Sequence, residues 1–135
     1  MTLLNIKDNF EMSGVNYLLD TNIIIYSIKG KLTIDVFVKD EDNLFISSII
    51  YIASLGFPFQ DRDEEVRITK YSKHFERIFL TKEIERQIIF IRKSKKIKLP
   101  DALIAAIAMI NNLILVTHNV DDFKNIEELK ILNSI

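Results

Sequence analysis

Residues 99–117 read LPDALIAAIAMINNLILVT, and this stretch decides the fold. Residues 102–110 are apolar on every side of a helix, which predicts a buried helix. Pro100 suits a first helical position, and the alanines of this helix permit a close approach to a sheet. Residues 113–117 form the clearest strand pattern in the chain. A buried helix that leads into a wholly apolar strand is typical of a parallel sheet covered on both faces.

The rest of the chain alternates between the same two patterns. Further strands are predicted at the apolar runs 17–19 and 44–46, and at 76–80 and 129–132, which are partly apolar. Helical patterns lie between them, at residues 23–30, 32–38, 49–57, 61–74 and 82–96. Ser47 or Ser48 and Thr81 are candidate N-caps, and Ile49, Ile52 and Ala53 are among the expected inward positions of their helix. We therefore predict one domain over residues 1–135, a three-layer α/β/α fold with a parallel sheet of four or five strands. Residues 1–14 show no clean periodicity and are expected to be a loosely ordered N-terminal extension.

Composition excludes several classes of protein. The 135 residues contain no Cys and only two His, which rules out disulfide frameworks, thiolate metal sites and His-rich zinc sites. No apolar run approaches the ~18 residues of a membrane span, so no membrane association is expected. The N-terminal residues carry acids where a secretory signal has an apolar core, so we expect a cytoplasmic protein.

Charge is unevenly distributed along the chain. Residues 61–98 hold 12 Lys and Arg against 7 Asp and Glu, and the remainder holds 6 against 12. Such an asymmetry can steer an anion towards one face of the protein. More often, a run of charged residues is simply the solvent-exposed face of a helix.

Acidic residues follow the predicted strands or begin the helix that covers them. Asp20 closes the first strong strand, Asp101 lies at the start of the buried helix, and Asp122 follows the strand at residues 113–117. Parallel strands place their carboxyl ends at one edge, so these acids could converge there. Clustered carboxylates repel one another unless some are protonated or a cation holds them. Oxygen ligands suit Mg²⁺ or Mn²⁺, ions that activate water for phosphodiester hydrolysis. Each acid also has a structural explanation, as a helix cap, a partner of the helix dipole or a turn residue.

The motifs around these acids resemble those of PIN-domain ribonucleases, specifically the VapC-like toxins of bacterial toxin–antitoxin pairs. The resemblance rests on YLLDTN at 17–22, LPDALIAA at 99–106 and LVTHNVDDF at 115–123, in that order. It implies a PIN-like fold, an acidic pocket for Mg²⁺ or Mn²⁺, cleavage of RNA, often tRNA, and a cognate antitoxin. By this resemblance Asp20 and Asp101 are metal ligands, and Asp122 completes the catalytic acids. The supporting residues would be Asn22, Asn119 and Thr117. Thr117 would orient the loop that follows its strand.

The chain departs from this family at Ala53. Related sequences carry a Glu three residues before the glycine of this segment, which is Gly56 here. Ala53 is either a packing residue or the trace of a catalytic carboxylate lost by divergence or by deliberate substitution. Without that carboxylate, we expect the chain to bind metal weakly and to cleave RNA poorly.

Two functions therefore remain under consideration. One is a metal-dependent endoribonuclease toxin whose basic segment binds the RNA backbone through Arg92, Lys93, Lys95, Lys96 and Lys98. The other is a non-catalytic PIN-fold module that binds an antitoxin or nucleic acid, a reading that Ala53 favours. A different Mg²⁺-dependent phosphatase or phosphoacceptor domain fits less well, because no second Asp lies two residues after Asp20. A homodimer is expected from the apolar surplus of the chain, with Phe57, Phe59 and residues 23–28 as candidate contacts.

Overall fold

A computed structural model describes residues 2–4, 14–23, 41–56 and 61–133. Its six strands form one parallel sheet in the order β1-β6-β5-β2-β3-β4. The strands are β1 (Thr2–Leu4), β2 (Asn16–Leu19), β3 (Asn43–Ser47), β4 (Glu76–Ile78), β5 (Ile114–Thr117) and β6 (Lys130–Asn133). The helices are α1 (Ser48–Leu55), α2 (Arg62–Ser72), α3 (Lys82–Ser94) and α4 (Leu99–Ile110), with a short 3₁₀ helix at Val120–Phe123.

The predicted α/β fold is confirmed, and all five strands expected from the sequence are present. The sheet gains β1, which pairs with β6 and lies within the segment that was expected to be an extension. The strand predicted at residues 76–80 ends at Ile78, and Phe79 and Leu80 beyond it are exposed. Of the helix expected at residues 23–30, only residue 23 is described, and it belongs to a helical turn at residues 21–23. The helix expected at residues 32–38 lies outside the described residues, as do Phe57 and Phe59.

The centre of the sheet is apolar on both faces. Tyr17, Leu18 and Leu19 of β2 are fully buried, and every residue of β5 is buried. Consecutive apolar residues suit these strands because successive side chains point to opposite faces and both faces are covered. Helix α4 is buried along most of its length, through Ala102 and residues 104–108. The short alanine side chains leave room for this helix to lie against its neighbours.

Helix α1 has a different inward face from the one predicted. Ser47 caps it, since its Oγ accepts hydrogen bonds from the backbone N–H of Ile49 at 3.0 Å and of Ile50 at 3.3 Å. The side chain of Ile50 is buried, whereas Ile49 and Ile52 are 43% and 62% exposed. Apolar residues occur on both sides of this helix, and the direction in which the chain leaves β3 turns Ile50 inward.

The hairpin of α3 and α4 follows the sequence pattern closely. Thr81 caps α3 by accepting a hydrogen bond from the backbone N–H of Ile84. Ile84, Ile88 and Ile91 form the buried stripe, as predicted, and α3 packs against α4. Helix α4 begins after Lys98 and has a proline in its first turn. Its first turn therefore follows directly from the basic segment.

Candidate active site

Asp20 and Thr117 lie side by side at the carboxyl edge of the sheet. Leu19 pairs with Val116 in the parallel ladder, and the backbone N–H of Asp20 continues that ladder with a 3.0 Å hydrogen bond to the Val116 carbonyl oxygen. The neighbouring strand β3 ends with Ser47, so α1 also begins at this edge. Parallel pairing thus brings together residues that are 97 positions apart in the chain.

Hydrogen bonds hold the carboxylate of Asp20 in one orientation. Its Oδ1 accepts from the backbone N–H of Thr21 at 2.7 Å, and its Oδ2 accepts from the Thr117 hydroxyl at 2.9 Å. The same hydroxyl oxygen accepts from the backbone N–H of Asn119 at 3.0 Å. Because Thr117 is fully buried, its hydroxyl is a fixed link between Asp20 and the following loop. A carboxylate has about four lone-pair sites, so Asp20 keeps acceptor capacity for a further ligand.

Asp101 and Asp122 lie within electrostatic range of each other and of Asp20. Asp101 is partly buried in the first turn of α4, and Asp122 is exposed in the 3₁₀ helix, which contacts α4. Burial raises the pKa of the Asp101 carboxyl, and the charges of Asp122 and Asp20 raise it further, while Lys98 opposes them. The structure therefore brings the three sequence-predicted acids to one region.

The acids are not packed as a dense metal cage. Among the residues that the structure describes, no group of three or more His, Asp or Glu side chains is arranged to hold a metal ion. Mg²⁺ is usually held by only one or two carboxylates and retains several waters. Oxygen donors from Asp20 and Asp101, with Asp122 nearby, fit such a sparsely coordinated ion.

The supporting residues have unequal parts in this arrangement. Asn119 contributes its backbone N–H to Thr117, and Asn22 lies partly buried in the helical turn that follows Asp20. The backbone N–H of Thr21 is a direct partner of Asp20 that could not be predicted from the sequence. Backbone donors of this kind leave no signal in residue type.

Ala53 is exposed in the second turn of α1. It lies one helical turn after Ile49, on the solvent side of the helix. The helix begins at the same sheet edge as Asp20, but its described residues carry no acid. An exposed position accommodates a longer polar side chain without burying it.

The basic segment runs from the end of α3 to the start of α4. Arg92, Lys93, Lys95, Lys96 and Lys98 are all exposed. Lys98 is close enough to Asp101 to counteract the rise in its pKa. The segment therefore joins the acidic site at one end, and its cations are accessible to a large anion.

The parallel sheet, with Asp20 at its carboxyl edge and Asp101 and Asp122 near it, defines an α/β protein whose candidate site lies beyond the strand ends. The PIN domain model matches residues 17–129, and the chain belongs to this family. The predicted likeness to VapC-like proteins is confirmed. No curated protein sequence matches the chain, and the described part of the chain has no helix of the length and apolarity that a membrane crossing requires.

Solved structures of toxin–antitoxin complexes are similar to this chain. A toxin–antitoxin complex from Klebsiella pneumoniae and VapBC-1 from nontypeable Haemophilus influenzae each contain a chain that is 27% identical, with a TM-score of 0.72. Each match covers 88% of this chain and 98% of the other. VapBC2 from Rickettsia felis, bound to a DNA fragment from its promoter, shares the fold at 23% identity and a TM-score of 0.76, over 88% of this chain and 98% of its own.

Proposed function

We propose that this chain is the toxin of a toxin–antitoxin pair, descended from metal-dependent endoribonucleases and weakened by the absence of an acid at position 53. The observation that carries the proposal is the Asp20 carboxylate, held by Thr21 and Thr117 within electrostatic range of Asp101 and Asp122. PIN-family membership supports a nuclease-type function, and the similar toxin–antitoxin complexes support an antitoxin partner. A homodimer is part of the same proposal.

Asp20 and Asp101 would hold Mg²⁺ or Mn²⁺, with Asp122 and Asn119 positioned to accept hydrogen bonds from its waters. When bound, such an ion supplies an activated water and offsets negative charge on a phosphodiester. The chain itself orients the carboxylate of Asp20, because the buried Thr117 hydroxyl donates a hydrogen bond to it before any ligand binds. Lys98 supplies a cation beside the acids, which lessens their repulsion of a phosphate group.

The basic segment would bind the backbone of an RNA substrate such as tRNA. Its exposed cations, Arg92 to Lys98, lead directly to the first turn that carries Asp101. Phosphate contacts of this kind release counterions, so RNA affinity should fall steeply as salt rises. If RNA affinity does not change between low and physiological salt, the basic segment does not bind the RNA backbone.

A second candidate function is that of a PIN-fold module that binds its antitoxin or nucleic acid without cutting. Ala53 is the observation that favours it, because Ala can neither bind a cation nor accept a proton. A module of this kind stays inactive when an acid is restored, whereas a nuclease that lacks one carboxylate regains activity.

The test is a cleavage assay on total tRNA with Mg²⁺ or Mn²⁺. It compares this chain with Ala53→Glu and with Ala53→Gln, which has nearly the same shape without the charge. We expect only Ala53→Glu to cut, and a chelator to stop it. Failure of all three proteins on tRNA and on other cellular RNA would favour the binding module. Equal cleavage by this chain and by Ala53→Glu would show that position 53 is not the missing acid.

A further inference from the structure

Arg77 of β4 lies over the aromatic ring of Tyr51 on α1. Its guanidinium carbon is 4.4 Å from the centre of that ring, which is the geometry of a cation–π contact. Arg77 is exposed, so the side of the guanidinium turned away from Tyr51 is accessible. No carboxylate within the described residues pairs with Arg77, and the guanidinium therefore keeps donors for an external ligand.

An exposed phenyl ring extends this surface. Phe79 lies two residues after Arg77 and is 63% exposed, whereas Ile78 between them packs against the core. Side chains two residues apart share one face of an extended chain, and the residue between them faces the other way. Arg77 and Phe79 therefore lie on the same side of β4 and its continuation. We call Tyr51, Arg77 and Phe79 the edge platform, because β4 is an edge strand of the sheet.

The edge platform lies on the same border of the sheet as the acidic site. The register between β2 and β3 brings Asp20 level with Ser47, and Ser47 pairs with Ile78 of β4. Asp20 and Ile78 are therefore two strands apart at one level of the sheet, which corresponds to about 10 Å. A polymer that passes over the acids can reach the edge platform without leaving this border.

We propose that the edge platform binds unpaired bases of the RNA substrate. One base stacks on the ring of Phe79, and another stacks on the accessible side of the Arg77 guanidinium. Tyr51 is a positioning residue, because it holds that guanidinium from the opposite side without contacting the RNA itself. The proposal rests on the proposed function and deepens it, since it names single-stranded RNA as the form of nucleic acid that reaches the acids.

The chemistry of the edge platform favours unpaired RNA over other ligands. Single-stranded RNA presents unstacked bases, which stack on aromatic rings and on Arg guanidinium planes. The charge of Arg77 attracts a polyanion to the same place, so one flexible strand satisfies both the ring and the cation. A double helix keeps its bases stacked and paired, and therefore offers no base to the exposed ring of Phe79.

The test measures binding of a labelled, mixed-sequence single-stranded RNA oligomer to the full-length chain by fluorescence anisotropy, with EDTA present to prevent cleavage. Arg77→Lys keeps the charge but removes the plane, and Phe79→Leu keeps an apolar side chain but removes the ring. Each should weaken binding roughly tenfold, as the loss of one stacked base does. Phe90→Leu is the matched control, because Phe90 is 65% exposed but lies on α3, and its affinity should equal that of the parent chain. Unchanged affinity in both platform variants, or an equal loss in Phe90→Leu, would overturn the proposal.

An abasic oligomer of the same length separates base contacts from phosphate contacts. The parent chain should bind it at least roughly tenfold more weakly than it binds the RNA, because no base is left to stack. Arg77→Lys and Phe79→Leu should bind the abasic oligomer as well as the parent chain does. If these variants lose the same affinity for both oligomers, the edge platform contacts the backbone and the stacking of bases is refuted.

Two substitutions of Tyr51 test its positioning role. Tyr51→Phe keeps the ring against Arg77 and should retain RNA affinity, whereas Tyr51→Leu should lower it about as much as Arg77→Lys does. Loss of affinity with both variants, or with neither, would overturn this role. Circular dichroism establishes that each variant is folded. Because these measurements need neither metal nor a cut strand, the edge platform can fail its test while Ala53→Glu still cleaves RNA, and it can pass even if Ala53→Glu does not cleave.

Discussion

Thr117→Val tests whether the buried hydroxyl holds the active-site loop together. Valine nearly matches threonine in shape but removes the donor to Asp20 and the acceptor of the Asn119 N–H, at 2.9 and 3.0 Å. A hydrogen bond to a charged group contributes about 1.5–3 kcal/mol, and a buried N–H left without a partner costs about 1–3 kcal/mol. Asp20 and Asn119 are only partly buried, so water recovers a share of both losses. We expect a loss of about 2–3 kcal/mol, or roughly 10 °C in Tm for a domain of this size.

Thr117→Ser is the matched control for this substitution. It keeps the hydroxyl and removes one buried methyl group, which costs about 1 kcal/mol. Chemical denaturation of the parent chain and both variants, with a common slope, gives the two differences. If Thr117→Val is no less stable than Thr117→Ser, the hydroxyl does not hold Asp20 and the loop in the manner described. In the Ala53→Glu background, Thr117→Val should also lower RNA cleavage more than Thr117→Ser does.

Three further substitutions probe the acids and α1. Asp101→Asn should raise the free energy of unfolding at pH 7 by under about 1 kcal/mol, after allowance for solvent screening. Because the pKa of Asp101 is raised in the fold, this gain should vanish near pH 3, where the carboxyl is protonated in both states. A gain that persists at pH 3 would exclude charge as its cause. Gly56→Ala should destabilise the chain by about 1–3 kcal/mol in a denaturant titration, since a Cβ would stand 2.5 Å from the Ile52 carbonyl oxygen; a stabilised variant would contradict that close approach. Ala53→Glu should change stability by less than about 0.5 kcal/mol because the position is exposed, yet raise Mn²⁺ affinity in calorimetry; unchanged affinity would separate position 53 from the metal site.

The strand predicted at residues 76–80 has most of its apolar part beyond the observed β4, Glu76–Ile78. Strands β2, β3, β5 and β6 were predictable because each contains a short apolar run that ends in polar residues. Strand β1 was not, since three residues carry too little pattern and its position depends on pairing with β6. The inward face of α1 was predicted wrongly because Ile49, Ile50 and Ile52 offer apolar side chains in several directions. Only the packing of the helix beside β3 selects Ile50.

The candidate site shows the same division between local signals and tertiary structure. The positions of the acids at strand and helix ends indicated that they would approach one another. The sequence could not show that Asp122 would be exposed, nor that the Thr117 hydroxyl would bond to Asp20. Those features depend on loop conformations and on the register between β2 and β5, which is fixed by the whole sheet.

The pKa of Asp101 is raised although its place in the first turn of a helix favours the charged form. A carboxylate in the first turn of a helix is favoured by the helix dipole, by about 0.3–1 kcal/mol, and that interaction lowers its pKa. Asp101 has this position, yet its pKa is raised because burial and the charges of Asp122 and Asp20 outweigh the opposing charge of Lys98. The two like charges reduce what Asp101 contributes to the stability of α4. The fold therefore tolerates repulsion among these three acids, and a bound cation would relieve that repulsion if the proposed function is correct.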